Sequence, residues 1–381
     1  MRVGSEGHLT YCMNVHPGET WEEVLQAIRI HLPRVKAEVS PRTPFGVGLR
    51  LSGRACETGR GREQELQNAL DEVGAYAFTV NAFPHGAFHD TRVKETVYLP
   101  DWSEKDRIRY TLSAAEILAG VLPPGISGSV STVPLGYKYR TGKESDQTPA
   151  WISTLTETVK GLRELEDRTG KYIHLGLEPE PDCILETTEE TVSFFHQLFD
   201  LPEAPLFRKY LGVCLDTCHV ALQFEDPAES LRTYRKEGIR VSKIQLSAAL
   251  EVEASDARPE ILHPFDDGVY FHQTTSSSGN RWRDLPDWMK TPDPTAGTLR
   301  VHCHVPLDWA GGSPLRSTRH TLHSTFWQEI AQIEAPHVEV ETYTFGVLPP
   351  EVQRYKSVEK SISDECQWVL SHISNLNELE R

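Results

Sequence analysis

The sequence lacks the marks of several protein classes. It has no paired CxxC motif, and its seven cysteines (Cys12, Cys56, Cys183, Cys214, Cys218, Cys303 and Cys366) are scattered and odd in number. That argues against a disulfide framework and against a structural zinc site, and free thiols suit a reducing cytoplasm. No stretch approaches the roughly 18 consecutive apolar residues of a membrane span. The opening MRVGSEGHLTYCMNVHPGET has no basic start followed by a long apolar run, so no signal peptide is expected. Positive charge is in deficit, with 39 Lys plus Arg against 55 Asp plus Glu and a formal charge of −16. That balance exerts no general pull on phosphate backbones and disfavours a nucleic-acid partner. No Gly-rich dinucleotide fingerprint follows any apolar segment.

What is present is a repeated alternation of short apolar segments and amphipathic ones. Strands are expected at 8–16, 45–52, 75–83, 127–135, 172–180, 212–215, 239–247 and 337–345. Helices are expected from Thr20, whose spacing to Glu23 forms a capping box, and over 62–73, 103–121 (opened by Ser103), 148–168, 187–199, 227–237, 316–334 and 355–379. Repeated βα units imply a parallel sheet. A (β/α)8 TIM barrel, one domain over 1–381, fits best, and a doubly wound open sheet is the alternative. The segment LRVHCHVPL (299–307) is a ninth strand candidate, read as an extended stretch over the barrel mouth. Residues 249–297, rich in Pro, Asp, Ser and Gly, read as an irregular insertion after the seventh strand that serves as a lid.

Chemistry in such barrels gathers at the C-terminal ends of the strands. Those ends offer Glu178 and Glu180, Asp216 with His219, Gln245, His302 and His304, and Glu339 and Glu341. Side chains two apart on a strand share a face, so Glu178 can act with Glu180 and His302 with His304. Carboxylates brought together repel unless one takes a proton or a cation joins them. Carboxylate and imidazole together suit Mn²⁺, Zn²⁺, Co²⁺ or Mg²⁺. Each residue also has a plainer reading. A strand-end Asp such as Asp216 serves as a helix N-cap, an HxH histidine can be a satisfied core residue, and Glu339 reads as part of a solvated pair on the outer rim.

The order LEPEP, VCLDTCH, KIQLS, RVHCH, VEVET resembles the xylose isomerase-like (AP endonuclease family 2) TIM-barrel superfamily, which holds sugar isomerases, ketose epimerases, inosose dehydratases and nucleases of the endonuclease IV type. More narrowly, HLTYCMNVHPGETW, FGVGLRLS, NAFPHGAFH and LEPEPDCILETTEE are similar to the metabolite-traffic protein EboE family, encoded beside prenyltransferase-like and sugar-phosphate-cyclase-like enzymes. The resemblance implies metal ligands at Glu178, Asp216 and Glu341, the last also a general base, and a ligand or substrate contact at His219. Gln245 takes the place of a metal-binding histidine, and His302 and His304 that of an Asp-x-His pair. Glu180 stands where hydride-shift isomerases carry a lysine. The expected protein is therefore a cytoplasmic, divalent-metal-dependent isomerase or epimerase of a sugar, sugar phosphate or cyclitol. Its acid–base pair is Glu341 and Glu180, assisted by His219, and Arg50, Asn81, His85 and His219 contact the substrate. It does not enter the membrane, though contact with a membrane enzyme of the same pathway stays open. The alternatives are a metal-dependent phosphodiester hydrolase and a non-catalytic metabolite carrier.

Overall fold

The computed structural model describes residues 1–3, 7–89, 92–141, 147–354 and 356–379. Eight parallel strands form a nearly closed barrel: β1 Gly7–Tyr11, β2 Phe45–Arg50, β3 Ala75–Asn81, β4 Gly128–Thr132, β5 Ile173–Leu177, β6 Leu211–Asp216, β7 Arg240–Leu246 and β8 His337–Val340. Their order is β1-β8-β7-β6-β5-β4-β3-β2, and a short antiparallel strand, Arg2–Val3, lies on β1. The open-sheet alternative is thereby excluded. β1 and β2 close the ring through one parallel bridge, Cys12 to Gly48, and through the Thr10 hydroxyl. That hydroxyl donates to Gly46 O at 2.7 Å and accepts from Gly48 N at 3.0 Å. The alternate glycines of FGVGLR have a steric cause here. A Cβ on Gly48 would stand 1.7 Å from Glu339 Oε1.

The helices follow from local signals. The Thr20–Glu23 capping box is formed and opens the helix Trp21–Val39. The expected start at Ser103 is displaced. The Ser103 hydroxyl binds Asp101 Oδ1 at 2.5 Å, and the helix runs Lys105–Val121. The helix expected over 316–334 covers only Ser324–Ala331, because Leu315–Ser317 is drawn into a sheet.

That sheet draws in part of the insertion expected to be irregular at 249–297, through Leu250–Glu253, Thr274–Ser276 and Arg281–Trp282. Six short antiparallel strands run in the order Arg281–Trp282, Thr274–Ser276, Thr298–Val301, Leu250–Glu253, Leu315–Ser317 and Gly311–Gly312. The segment is anchored, with Leu250, Leu262, Leu285 and Trp288 fully buried. The surplus strand candidate belongs to this sheet through Thr298–Val301. Its continuation, His302 to Leu307, is tied across the mouth by His302 N to Gln273 O (2.9 Å) and Val305 N to Ala248 O (2.9 Å). Among the described residues no helix is long and apolar enough to cross a membrane.

The barrel interior is polar. Glu339, expected on the outer rim, has no exposed surface and pairs with the equally buried Lys243. Strand period explains the correction. Glu339 lies two residues before Glu341 and opposite Gln245 in register, on the inward face of β8.

Candidate active site

Asp216 ends β6 and at once caps a short helix, Thr217–Leu222, not expected from the sequence. Its Oδ1 accepts from Cys218 N (2.8 Å), His219 N (3.1 Å) and Ser247 Oγ (2.6 Å). Its Oδ2 is buried and has no hydrogen-bond partner. Both readings of Asp216 therefore hold at once, with one oxygen capping and the other facing the site. The same helical turn swings His219 back beside it.

Three carboxylates, Glu178, Asp216 and Glu341, place oxygens within 4.8 Å of one another, and Asp216, His219 and His304 do the same. Glu341 Oε1 is held by two amides, Asn14 Nδ2 at 2.7 Å and Asn81 Nδ2 at 3.2 Å. Glu178 Oε2, like Asp216 Oδ2, is buried without a partner. Burial, then the neighbouring carboxylates, hold Glu178 and Glu341 well above the usual range. Burial also opposes ionisation of Asp216, yet His219, His304 and the Ser247 hydroxyl outweigh it and keep that carboxyl low.

The histidines are oriented by carbonyl oxygens, which can only accept. His219 Nδ1 donates to Pro179 O (3.1 Å), His302 Nδ1 to Gln273 Oε1 (2.7 Å) and His304 Nδ1 to Glu341 O (2.9 Å). In the neutral ring each Nε2 is then a bare lone pair. His304 Nε2 is buried without a partner, and the Nε2 atoms of His219 and His302 face each other at 3.1 Å. Two facing lone pairs repel unless a proton or a cation lies between them. Burial lowers His219 to about 4 and His302 well below its ordinary value, which disfavours the proton. This donor set fits a divalent cation, with each imidazole steered through its other nitrogen.

Glu180, two residues beyond Glu178, groups with His219 and His302 instead. Burial lifts its carboxyl to about 8, against the opposing Tyr98 hydroxyl, which donates to Oε1 at 2.9 Å. Asn81, Glu178, Glu180, His219, His302 and Glu341 all line one cavity at the strand ends.

Of the expected residues, Arg50 and His85 lie away from this cavity, and Gln245 stands opposite Asp216 in register. Arg50 is buried, and its guanidinium is committed to Gly18 O, Gly86 O and the Glu19 carboxylate, each at 2.9 Å. His85 packs edge-on against Tyr110 at 4.9 Å. Neither lines the cavity. Gln245 is fully buried, accepts from Cys214 Sγ at 2.8 Å and leaves Nε2 unpartnered. The sequence reading missed Asn14, which the strand-end rule applied to β1 would have found. It also missed Tyr98, Gln273 and His272. His272 donates to His302 O at 2.8 Å and pairs with Asp267 at 3.0 Å.

The sequence matches no family model and no curated protein. Solved structures share the fold. The IolI protein with a binding zinc atom is 14% identical with a TM-score of 0.51, over 97% of this chain and 98% of that one. The apo form of 3-keto-D-glucoside 4-epimerase, YcjR, from E. coli is 12% identical with a TM-score of 0.50, over 96% and 100%. A xylose isomerase-like TIM barrel protein from Mycobacterium smegmatis in complex with magnesium is 11% identical with a TM-score of 0.50, over 97% and 97%. These likenesses show the xylose isomerase-like TIM-barrel fold that the sequence motifs resemble.

Proposed function

We propose that this xylose isomerase-like barrel is a divalent-metal-dependent isomerase or epimerase acting on a hydroxy-ketone of the sugar or cyclitol class. The observation that carries the reading is the convergence of bare imidazole nitrogens and unpartnered carboxylate oxygens at the strand ends. Glu178, Asp216 and Glu341 would hold the cation, with His219 and His304 on the Asp216 side. His302 and Gln245 stand next to that set. A bound Mn²⁺, Zn²⁺, Co²⁺ or Mg²⁺ would polarise a ketone and stabilise the charge developing on its oxygen. Zinc and magnesium are the ions named for two of the similar barrels.

The chain's own residues move the proton. Glu180, raised to about 8 and held by Tyr98, carries a proton near neutrality and can deliver it. Glu341, oriented by Asn14 and Asn81, is the partner base. Metal content should fall in Glu178→Ala, Asp216→Ala and Glu341→Ala variants that remain folded, and equal metal in all three would sink the assignment. Turnover in D₂O should place deuterium at the carbon beside the carbonyl. Glu180→Gln should abolish turnover while keeping the metal, and a fully active variant would remove Glu180 from the mechanism.

A metal-dependent phosphodiester hydrolase is the second reading, favoured by the additional group Cys218, His302 and His304 beside the carboxylates. Hydrolysis of bis-p-nitrophenyl phosphate by the metal-loaded protein would decide for it. The EboE resemblance sets either activity in metabolite biosynthesis or traffic. A protein that holds metal but turns over no polyol ketone would be a carrier there.

A further inference from the structure

We infer, resting on the metal-site reading above, that the ligand is an uncharged hydroxy-ketone carrying an aromatic or similarly flat apolar group, and not a sugar phosphate. The ligand would enter the cavity at the strand ends, whose mouth opens to solvent. Its chemistry divides by depth. The polar floor is the carboxylate and histidine cluster, and the walls are aromatic. Six of the eighteen lining residues are Phe or Tyr, against 9% aromatics in the whole chain.

The rings form two groups. Phe88, Tyr270 and Tyr343 lie 5.1–5.4 Å apart and, with Val93, make an apolar cluster separate from the barrel core. Tyr98 stacks on Tyr137 at 4.7 Å, and Tyr137 in turn on Phe271 at 5.9 Å. Each group reaches the floor through one tyrosine. Tyr343 packs against His304 at 4.6 Å, and Tyr98 binds Glu180. A ligand gripped by its oxygens at the floor would thus present its far end to ring faces.

Charge decides against a phosphate at that end. Lys94 is the only cation among the described lining residues, and its ammonium is taken by the Asp284 carboxylate and lies 5.3 Å over the Phe271 ring. Arg50 is committed as described above. Three glutamates already line the floor. Arg283, 5.3 Å over the same Phe271 ring with its Nε on the Tyr137 hydroxyl, does not line the cavity, so a phosphate dianion would meet π faces and carboxylates with no lining cation free to pair with it.

Three metal-chelating probes test this by calorimetry on the zinc-loaded protein: acetohydroxamate, benzohydroxamate and phosphoglycolohydroxamate, each corrected for its affinity for free zinc. Benzohydroxamate should bind about 10-fold tighter than acetohydroxamate, from one stacked and buried ring. Phosphoglycolohydroxamate should bind no tighter than acetohydroxamate. Phe88→Leu and Phe271→Leu should each reduce the aryl advantage and leave acetohydroxamate unchanged; should both fail to fold, the wild-type ranking alone decides. Tightest binding by the phosphate probe, or equal binding of the aryl and methyl probes, would overturn the inference and leave the metal site standing. Failure of all three probes to bind would overturn the metal reading and this inference with it.

Discussion

Replacing Lys243 by Met removes the charge facing Glu339 in the middle of the barrel and keeps most of the side-chain volume. Both partners are fully buried, and among the described residues Lys243 Nζ makes its one further hydrogen bond to the Ser131 hydroxyl, at 3.2 Å. Breaking a buried pair from one side leaves an uncompensated charge and costs about 3–5 kcal/mol. Against a typical stability of about 5–15 kcal/mol, that is a large share. The cost has a pH signature. Burial raises the Glu339 carboxyl, and Lys243 opposes that rise. Without the ammonium, the folded value climbs further above the unfolded one. A group raised in the folded state gives its full stabilisation below the unfolded pKa and loses it as pH rises through the folded one. The deficit of Lys243→Met should therefore shrink below about pH 4.3 and widen towards neutrality. Adding Glu339→Gln removes the stranded charge, so the double variant should recover most of the loss. Urea denaturation with chelator present, followed by tryptophan fluorescence at acid and neutral pH, measures all three proteins. A Lys243→Met midpoint equal to that of the parent at neutral pH, or a double variant no more stable than the single, would refute the pairing.

Metal uptake should release protons and tighten as pH rises, because Glu178 and Glu341 are held well above the usual carboxylate range and a cation must displace their protons. Calorimetry in buffers of differing ionisation enthalpy checks this, and an affinity unchanged between about pH 6 and 8 would contradict it. Burial opposes charging of His272, but Asp267 outweighs it and raises the imidazole above 6.5. The stabilisation from that pair is full below the unfolded value and disappears as pH rises through the folded one. Asp267→Asn should thus cost about 1–3 kcal/mol in acid and less in alkali, read from thermal melts; a pH-independent loss would exclude the ion pair. Limited proteolysis of the insertion should cut at the exposed tip 277–280 and spare Leu285–Lys290, whose Leu285 and Trp288 are fully buried. Early cleavage within that helix would show the segment to be poorly anchored.

Strands of a parallel barrel are buried on both faces, so they stand out as short apolar runs, and FGVGLR or KIQLS could be found by that criterion alone. The strand-end rule then located Glu178, Asp216 and Glu341. What failed did so for identifiable reasons. The helix Thr217–Leu222 has six residues, too few to show a period. The strands of the second sheet are two to four residues long and exist only through partners far away in sequence, such as Thr298 to Glu253 and Arg316 to Glu251. Arg50 has the right type and place for a substrate contact. The carbonyls of Gly18 and Gly86 and the Glu19 carboxylate, brought close by the fold, hold its two terminal nitrogens away from the cavity.

By itself, then, the sequence determined the alternation of strands and helices, the barrel it builds and the strand ends that carry carboxylate and imidazole. These are properties of local period and of residue type. Tertiary structure decided the rest. It made Asp216 cap a helix with one oxygen and face the site with the other, and it turned three imidazoles by tying Nδ1 to carbonyls on other segments. It put Glu339 inside against Lys243 and Lys94 onto Asp284, and it walled the cavity with rings from loops far apart in the chain. Each of these depends on which donor finds which acceptor across long sequence separations, and no local pattern encodes that pairing.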